Sequence, residues 1–192
     1  MVLKNNSFYK VAIIGSDECT LCSDKVLVYK EICKELGYEL SKRNVILFSG
    51  GDMGIGFFVL ESFTKNGGLS IVFCPEYKCK YDNLDNNIPL YTGLGYGIRE
   101  IVMLRSADAV ISLSGGAGTL GELANAYSLH LPIYTLEGTD GWTKTCSEKG
   151  FDIKKKTEIK VCKDCKSLVS ILLKDLDKKN CIRSLLQNVS KK

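Results

Sequence analysis

Apolar and polar residues alternate along the chain with two different periods. Short runs rich in valine and isoleucine are separated by longer stretches in which the apolar residues recur at helical spacing. Between Asp24 and Lys42, for example, Val28, Ile32, Leu36 and Leu40 repeat every four residues and form one apolar stripe on a helix. Such alternation is typical of strand–helix units and predicts a doubly wound α/β fold with a parallel sheet.

The same pattern sets the expected boundaries of the elements. We expect strands at Lys10–Ile14, Val45–Phe48, Leu69–Cys74, Ala109–Leu113, Pro132–Leu136 and Glu158–Val161. We expect helices at Asp24–Lys42, Ile55–Lys65, Ile98–Arg105, Thr119–Leu129 and Ser167–Leu186. The polar stretch between Pro75 and Gly97 shows no regular period, and an irregular segment of that length is more often functional than idle. Neither a repeat nor a linker interrupts the pattern, so we predict one domain over residues 1–192, with a C-terminal helix and tail from about residue 167.

Composition narrows the class of protein. The chain is 45% hydrophobic and 25% charged, which is the composition of a globular protein and excludes collagen-like, mucin-like and disordered classes. A formal charge of +4 with dispersed lysines does not indicate nucleic-acid binding. Nine cysteines, with neither a secretory signal nor an apolar run of membrane-spanning length, predict a protein of the reducing cytoplasm that does not bind membranes.

Three of the predicted strands end in loops of small residues. In an open parallel sheet, ligands bind outside the carboxyl ends of the strands, so three such loops are expected to face one crevice. The residues that we expect to bind a nucleotide or phosphate there are Gly15 and Ser16; Gly50, Gly51, Asp52 and Gly54; and Ser114, Gly115, Gly116, Ala117, Gly118 and Thr119.

The third of these loops carries the strongest signal. Its glycines remove the Cβ atoms that would keep a phosphate away from the backbone, and the loop leads into a helix whose first N–H groups attract an anion. A bound phosphate is therefore predicted there. For Gly50 and Gly51, a tight turn explains the glycines as well as a ligand does. Neither loop has the Gly-Lys-Ser/Thr of a P-loop or the spacing of the dinucleotide fingerprint.

Other chemically suggestive residues have simpler interpretations. Two CxxC pairs, Cys19/Cys22 and Cys162/Cys165, have the spacing of a four-thiolate zinc site, but they lie far apart in the chain. Scattered reduced thiols explain them better, and no metal is predicted. His130 fits a structural place at a helix C-terminus. Trp142 fits equally a cover over a base and the closure of a loop.

The stretch from Gly97 to Glu122 resembles the signature of the LOG ("lonely guy") family, once called lysine-decarboxylase-like. The mark of that family is an arginine, then a strand, then Pro-Gly-Gly-x-Gly-Thr-x-x-Glu, and the spacing from Arg99 to Glu122 fits without a gap. The chain departs from the plant-type motif at Ser114, which replaces the proline, and at Glu100, which replaces a lysine. With Thr92-Gly93-Leu94-Gly95 ahead of Arg99 and Arg105-Ser106-Ala107-Asp108-Ala109 after it, the chain looks closer to the prokaryotic branch described as LOG-like or molybdenum-cofactor-carrier-like.

The resemblance implies a Rossmann-like nucleotide-binding domain that forms a homodimer. It also implies that Arg99 and Glu122 are a catalytic pair that cleaves the N-glycosidic bond of a nucleoside 5′-monophosphate, releasing base and ribose 5-phosphate without a cofactor. The alternative is a non-catalytic carrier of a nucleotide or of a pterin-type phosphate such as the molybdenum cofactor. In both cases the expected partner is a small molecule that bears a phosphate.

Two residues of this motif have a second interpretation from the sequence itself. Thr119 and Glu122 have the spacing of a capping box, in which the glutamate bonds back to the helix N-cap. As a catalytic group, Glu122 would instead orient or deprotonate the attacking water. Arg99 reads as a surface arginine at the start of a helix, where the helix dipole disfavours its charge, so a bound anion is expected beside it.

Overall fold

The computed structural model describes residues 8–17, 21, 23–51, 53–77, 84–154 and 157–189. Strands and helices alternate along these residues. The strands are β1 (Tyr9–Gly15), β2 (Val45–Ser49), β3 (Leu69–Cys74), β4 (Asn87–Tyr91), β5 (Ala109–Leu113), β6 (Ile133–Leu136) and β7 (Ile159–Cys162). The helices are α1 (Ser23–Ser41), α2 (Ile55–Lys65), α3 (Gly95–Ser106), α4 (Ala117–Ser128), α5 (Gly141–Lys149) and α6 (Cys165–Val189).

The strands form one parallel sheet in the order β4-β3-β2-β1-β5-β6-β7. The chain builds outward from β1 in one direction as far as β4 and then returns to place β5 on the other side of β1. The carboxyl ends of β1, β2 and β5 therefore meet where the strand order reverses, which is where open α/β sheets bind ligands. The predicted doubly wound α/β fold is confirmed.

Helices cover both faces of the sheet, and each face has its own apolar core. Leu36 of α1, Val59 of α2 and Leu172 of α6 are fully buried in one core. Leu104 of α3 and Leu123 of α4 are fully buried in the other. Because both faces are covered, the inner strands are apolar without alternation, and every residue of β5 is buried.

One predicted irregular segment contains a strand, so that prediction is wrong in part. β4 lies within the stretch from Pro75 to Gly97 and forms an edge of the sheet. Ile88 and Leu90 are exposed, and Pro89 lies in the middle of the strand, opposite Val72 of β3. An exposed edge strand lacks the continuous apolar run of an inner strand and can contain a proline, so its sequence signal is weak.

A helix that the apolar pattern does not predict follows β6. This helix, α5, buries only Thr143 and Cys146, so it has no apolar stripe that would reveal it. None of the helices in the described part of the chain is long and apolar enough to span a membrane.

The second CxxC pair lies in the core. Cys162 and Cys165 are buried, and the thiol of Cys165 lies 3.6 Å from the carbonyl oxygen of Ile32. Burial raises the pKa of Cys165 to about 12, so the thiol is protonated and unreactive at neutral pH. The first pair, Cys19 and Cys22, lies outside the described residues.

Candidate active site

A cleft of about 490 Å³ opens at the carboxyl ends of β1, β2 and β5. It is lined by residues from all three loops of small residues and from helices α3 and α4. The predicted site residues that line it are Gly15, Ser16, Gly50, Arg99, Gly116, Ala117, Gly118, Thr119 and Glu122.

Four further predicted site residues do not line the cleft. Gly51 lies against β3, where an added Cβ would be 3.2 Å from Val72 Cγ1. Gly54 precedes α2 and pairs with Asp17 in an isolated antiparallel bridge. Ser114 and Gly115 are buried at the start of the third loop. Asp52 is outside the described residues.

The third loop runs directly into α4, which begins at Ala117 with Gly116 as its N-cap. Thr119 is thus the third residue of the helix and Glu122 the sixth. The capping-box prediction is therefore wrong, because Glu122 is a full turn beyond the position from which a glutamate bonds back to an N-cap. The first turn, Ala117 to Thr119, instead lines the cleft with the end of the helix that attracts anions.

Arg99 is buried rather than on the surface, with 2% of its area exposed. The expectation of a surface arginine at the start of a helix is therefore wrong. Helix α3 begins at Gly95, so Arg99 lies in its second turn, and its side chain packs against Gly50. Its guanidinium lies 5.5 Å from the ring centroid of Tyr96, and its Nη2 atom lies 3.9 Å from Glu100 Oε1. A guanidinium in such a place needs anionic or aromatic neighbours to offset its lost hydration.

Gly50 allows this arginine to reach the cleft. A Cβ atom at Gly50 would lie 1.7 Å from Arg99 Nη1, so the guanidinium lies directly against the backbone of the second loop. From the sequence, either a tight turn or a ligand contact explains the glycine at position 50. The structure adds a third reason for the glycine, which is room for the arginine side chain.

Carboxylates surround the same cleft. Glu122 projects from α4, Glu100 from α3 and Asp17 from the end of the first loop. Of these, Glu100 and Asp17 were not predicted, nor were the lining residues Tyr96 and Met53. A single polar residue beside a glycine loop has no periodic signal, although the position of Glu100 next to Arg99 in the sequence could have suggested it.

Hydroxyl groups fix the loop from behind the cleft. Ser16 Oγ and Ser114 Oγ are 3.0 Å apart, and the Gly115 N–H donates to Ser16 Oγ at 2.9 Å. The Ser114 N–H donates to Thr139 Oγ1, also at 2.9 Å. The ends of β1 and β5 are thereby linked to the segment that precedes α5.

Asp140 extends this network to α1. Its carboxylate accepts hydrogen bonds from Lys25 Nζ and from the Tyr29 hydroxyl, both at 2.7 Å. Burial acts to raise the pKa of Asp140, but the hydrogen bonds from Lys25, Ser114 and Tyr29 outweigh it and hold the pKa below its usual value. Asp140 is thus a carboxylate at neutral pH.

The first turn of α5 closes the back of the loop. The Trp142 N–H donates to the Gly115 carbonyl at 2.9 Å, and the indole lies beside a shallow depression that Gly115 and Gly116 also line. Of the two interpretations of Trp142, this contact favours closure of the loop. His130 lies at the far end of α4 in a left-handed conformation, as its predicted structural role requires.

Known proteins share this sequence pattern. The model of the SLOG cluster4 family matches residues 8–169. LOGL9 of Oryza sativa subsp. japonica, named a probable cytokinin riboside 5′-monophosphate phosphoribohydrolase, is 28% identical over 134 residues. That match covers 65% of this chain and 59% of the rice protein, so the chain spans less than two thirds of the relative.

Solved structures share the fold. The X-ray structure of TM1055 has 31% sequence identity to this chain and a TM-score of 0.78. The match covers 87% of this chain and 99% of TM1055. The molybdenum cofactor carrier protein of Chlamydomonas reinhardtii has a TM-score of 0.69 over 88% of this chain and 98% of its own, but at 21% identity this likeness shows the fold alone. On the extent of the family match and the motif from Arg99 to Glu122, this chain belongs to the SLOG cluster4 family of LOG-like proteins.

Proposed function

We propose that this protein is a phosphoribohydrolase that cleaves the N-glycosidic bond of a nucleoside 5′-monophosphate. The observation that carries the proposal is the convergence of three groups on one cleft: the buried Arg99 guanidinium, the Glu122 carboxylate and the first turn of α4. The activity in the name of the rice relative supports the same reaction.

The phosphate of the nucleotide binds at the start of α4. The N–H groups of a helix's first turn have no acceptor within the helix, and the helix dipole adds a positive potential there. Arg99 of α3 lines the same cleft and provides planar donors that match two phosphate oxygens. The phosphate in turn offsets the charge of the buried guanidinium and is the anion that the sequence predicts beside Arg99.

Glu122 acts on the sugar. It lies three residues beyond Thr119, which is about 4.5 Å further along the helix axis at 1.5 Å per residue. A ribose attached to a phosphate on the first turn is then within reach of its carboxylate. Cleavage passes through an oxocarbenium-like transition state that a nearby carboxylate stabilises.

The bond changes are simple. Glu122 takes a proton from a water molecule, whose oxygen bonds to C1′ of the ribose while the bond from C1′ to the base nitrogen breaks. The departing base takes up a proton from solvent. The products are the free base and ribose 5-phosphate.

Replacing Glu122 by glutamine tests this role. Glu122→Gln keeps the size of the side chain but removes its charge and basicity, so we expect base release from nucleoside monophosphates to fall at least about a hundredfold. Chromatography of protein incubated with a panel of nucleoside monophosphates measures this release. Glu137→Gln, an exposed change outside the cleft, is the matched control and should retain full activity.

Two results would contradict the proposal. One is equal base release by the wild type and the Glu122→Gln variant. The other is no base release from any nucleotide by a wild type whose melting temperature nucleotides nevertheless raise, since a bound ligand stabilises the folded state. The second result would leave the carrier alternative, in which the same loop holds a phosphate without reaction.

The contact between Gly50 and Arg99 provides a second test. In Gly50→Ala the new methyl group displaces the guanidinium, so we expect the affinity for AMP to fall about tenfold or more, the usual effect of losing a hydrogen bond to a charged group. Calorimetric titration with AMP measures it. Gly97→Ala, an exposed change in α3 with open space around it, is the control. If Gly50→Ala and Gly97→Ala bind AMP with equal affinity, Arg99 does not bind the phosphate.

We also propose that the protein is a homodimer that associates through α3 and β4. One stretch of chain exposes a row of large apolar side chains, namely Ile88, Leu90, Leu94, Ile98 and Ile101. Exposed apolar surface of this kind is typical of interfaces. Sedimentation velocity should give the mass of a dimer for the wild type and of a monomer for Ile98→Asp, and a monomeric wild type would contradict the proposal.

A further inference from the structure

Ser114, the residue that precedes the glycines of the third loop, has a left-handed backbone. Its φ is 59°, a conformation that non-glycine residues rarely adopt. Within the described part of the chain, only Asn86 and His130 share this property among the non-glycine residues. Such a backbone persists only when its surroundings hold it in place.

Each polar group of Ser114 is held by a different element. Its N–H donates to Thr139 Oγ1 at 2.9 Å, and its Oγ lies 3.0 Å from Ser16 Oγ at the end of β1. Its carbonyl oxygen accepts hydrogen bonds from the hydroxyl and the N–H of Thr143, in the first turn of α5. These contacts fix the orientation of the peptide group before and after Ser114.

The next peptide group is fixed in the same way. The Gly115 carbonyl accepts the Trp142 N–H of α5, and the peptide is trans. The C=O and N–H of a trans peptide point in opposite directions, so the Gly116 N–H points away from α5. Gly116 also lines the cleft, so a phosphate bound there would lie beside this fixed peptide group.

We propose that Ser114 is a positioning residue for the phosphate site, acting through its left-handed backbone and its anchorage on Thr139 and Thr143. This inference rests on the proposed function, because it assigns the loop to a phosphate monoester. The position requires a residue that adopts a positive φ and donates an N–H. Proline, which the plant-type motif has here, does neither, since its ring holds φ near −65° and it has no N–H.

Substitutions at residue 114 separate the backbone from the side chain. Ser114→Gly keeps the positive φ and the N–H and loses only the hydroxyl, so we expect its affinity for AMP to stay within about threefold of the wild type. Ser114→Pro loses both backbone features, so we expect its affinity to fall about tenfold or more. The fluorescence of Trp142, the one tryptophan of the chain, reports binding directly beside the loop.

Thr143→Val keeps the interpretation testable if the proline variant does not fold. Valine has the shape of threonine but no hydroxyl, so it removes the hydrogen bond to the Ser114 carbonyl and the one with Ser112 Oγ, which lies 2.6 Å from Thr143 Oγ1, while the side-chain volume stays nearly the same. We expect several-fold weaker binding of AMP and of inorganic phosphate by this variant, with an unchanged circular dichroism spectrum. Adenosine lacks the phosphate, so we expect this variant to bind it as the wild type does. A general structural defect would instead weaken the binding of adenosine as well.

The outcomes distinguish this inference from the proposed function. Ser114→Pro or Thr143→Val with wild-type affinity for AMP would overturn the inference, even if the wild type releases base. A wild type that binds AMP without hydrolysing it, with the predicted order of affinities among the variants, would uphold the inference and contradict the hydrolase. Equal losses of AMP and adenosine binding would also overturn it.

Discussion

The cleft depends on a buried positive charge at the carboxyl edge of the sheet. Arg99 is almost fully enclosed, and enclosing a guanidinium is costly unless neighbouring groups offset its charge. The ring of Tyr96 and the carboxylate of Glu100 lie close to this charge, and Gly50 leaves the space that it occupies. In the proposed function, a phosphate on the first turn of α4 would bind beside this charge and add to the compensation.

The loop before α4 has two sides with different tasks. One side faces the cleft with small residues and the start of a helix. The other is tied by hydroxyl groups and by the first turn of α5 to β1 and to the Asp140 carboxylate. Such preorganisation matters because donors that are already oriented need no rearrangement when the anion binds. In the proposed function, α4 binds the ligand and α5 holds the loop in shape.

The fold and the place of the cleft could be predicted from the sequence because they depend on strong, periodic signals. The inner strands are continuous apolar runs, and α2 and β5 have the predicted boundaries. What could not be predicted depends on contacts between distant segments. Arg99 is buried because it packs against Gly50, which lies far away in the sequence. The left-handed backbone of Ser114 is held by Thr139 and Thr143. The helix α5 buries too few side chains to produce an apolar pattern.

The most direct test of the central claim is a crystal structure of the Glu122→Gln variant with AMP bound. The account predicts the phosphate within hydrogen-bond distance of the N–H groups of the first turn of α4 and of the Arg99 guanidinium. It also predicts C1′ of the ribose facing the side chain of residue 122. A phosphate bound elsewhere, or a ribose turned away from residue 122, would contradict the account.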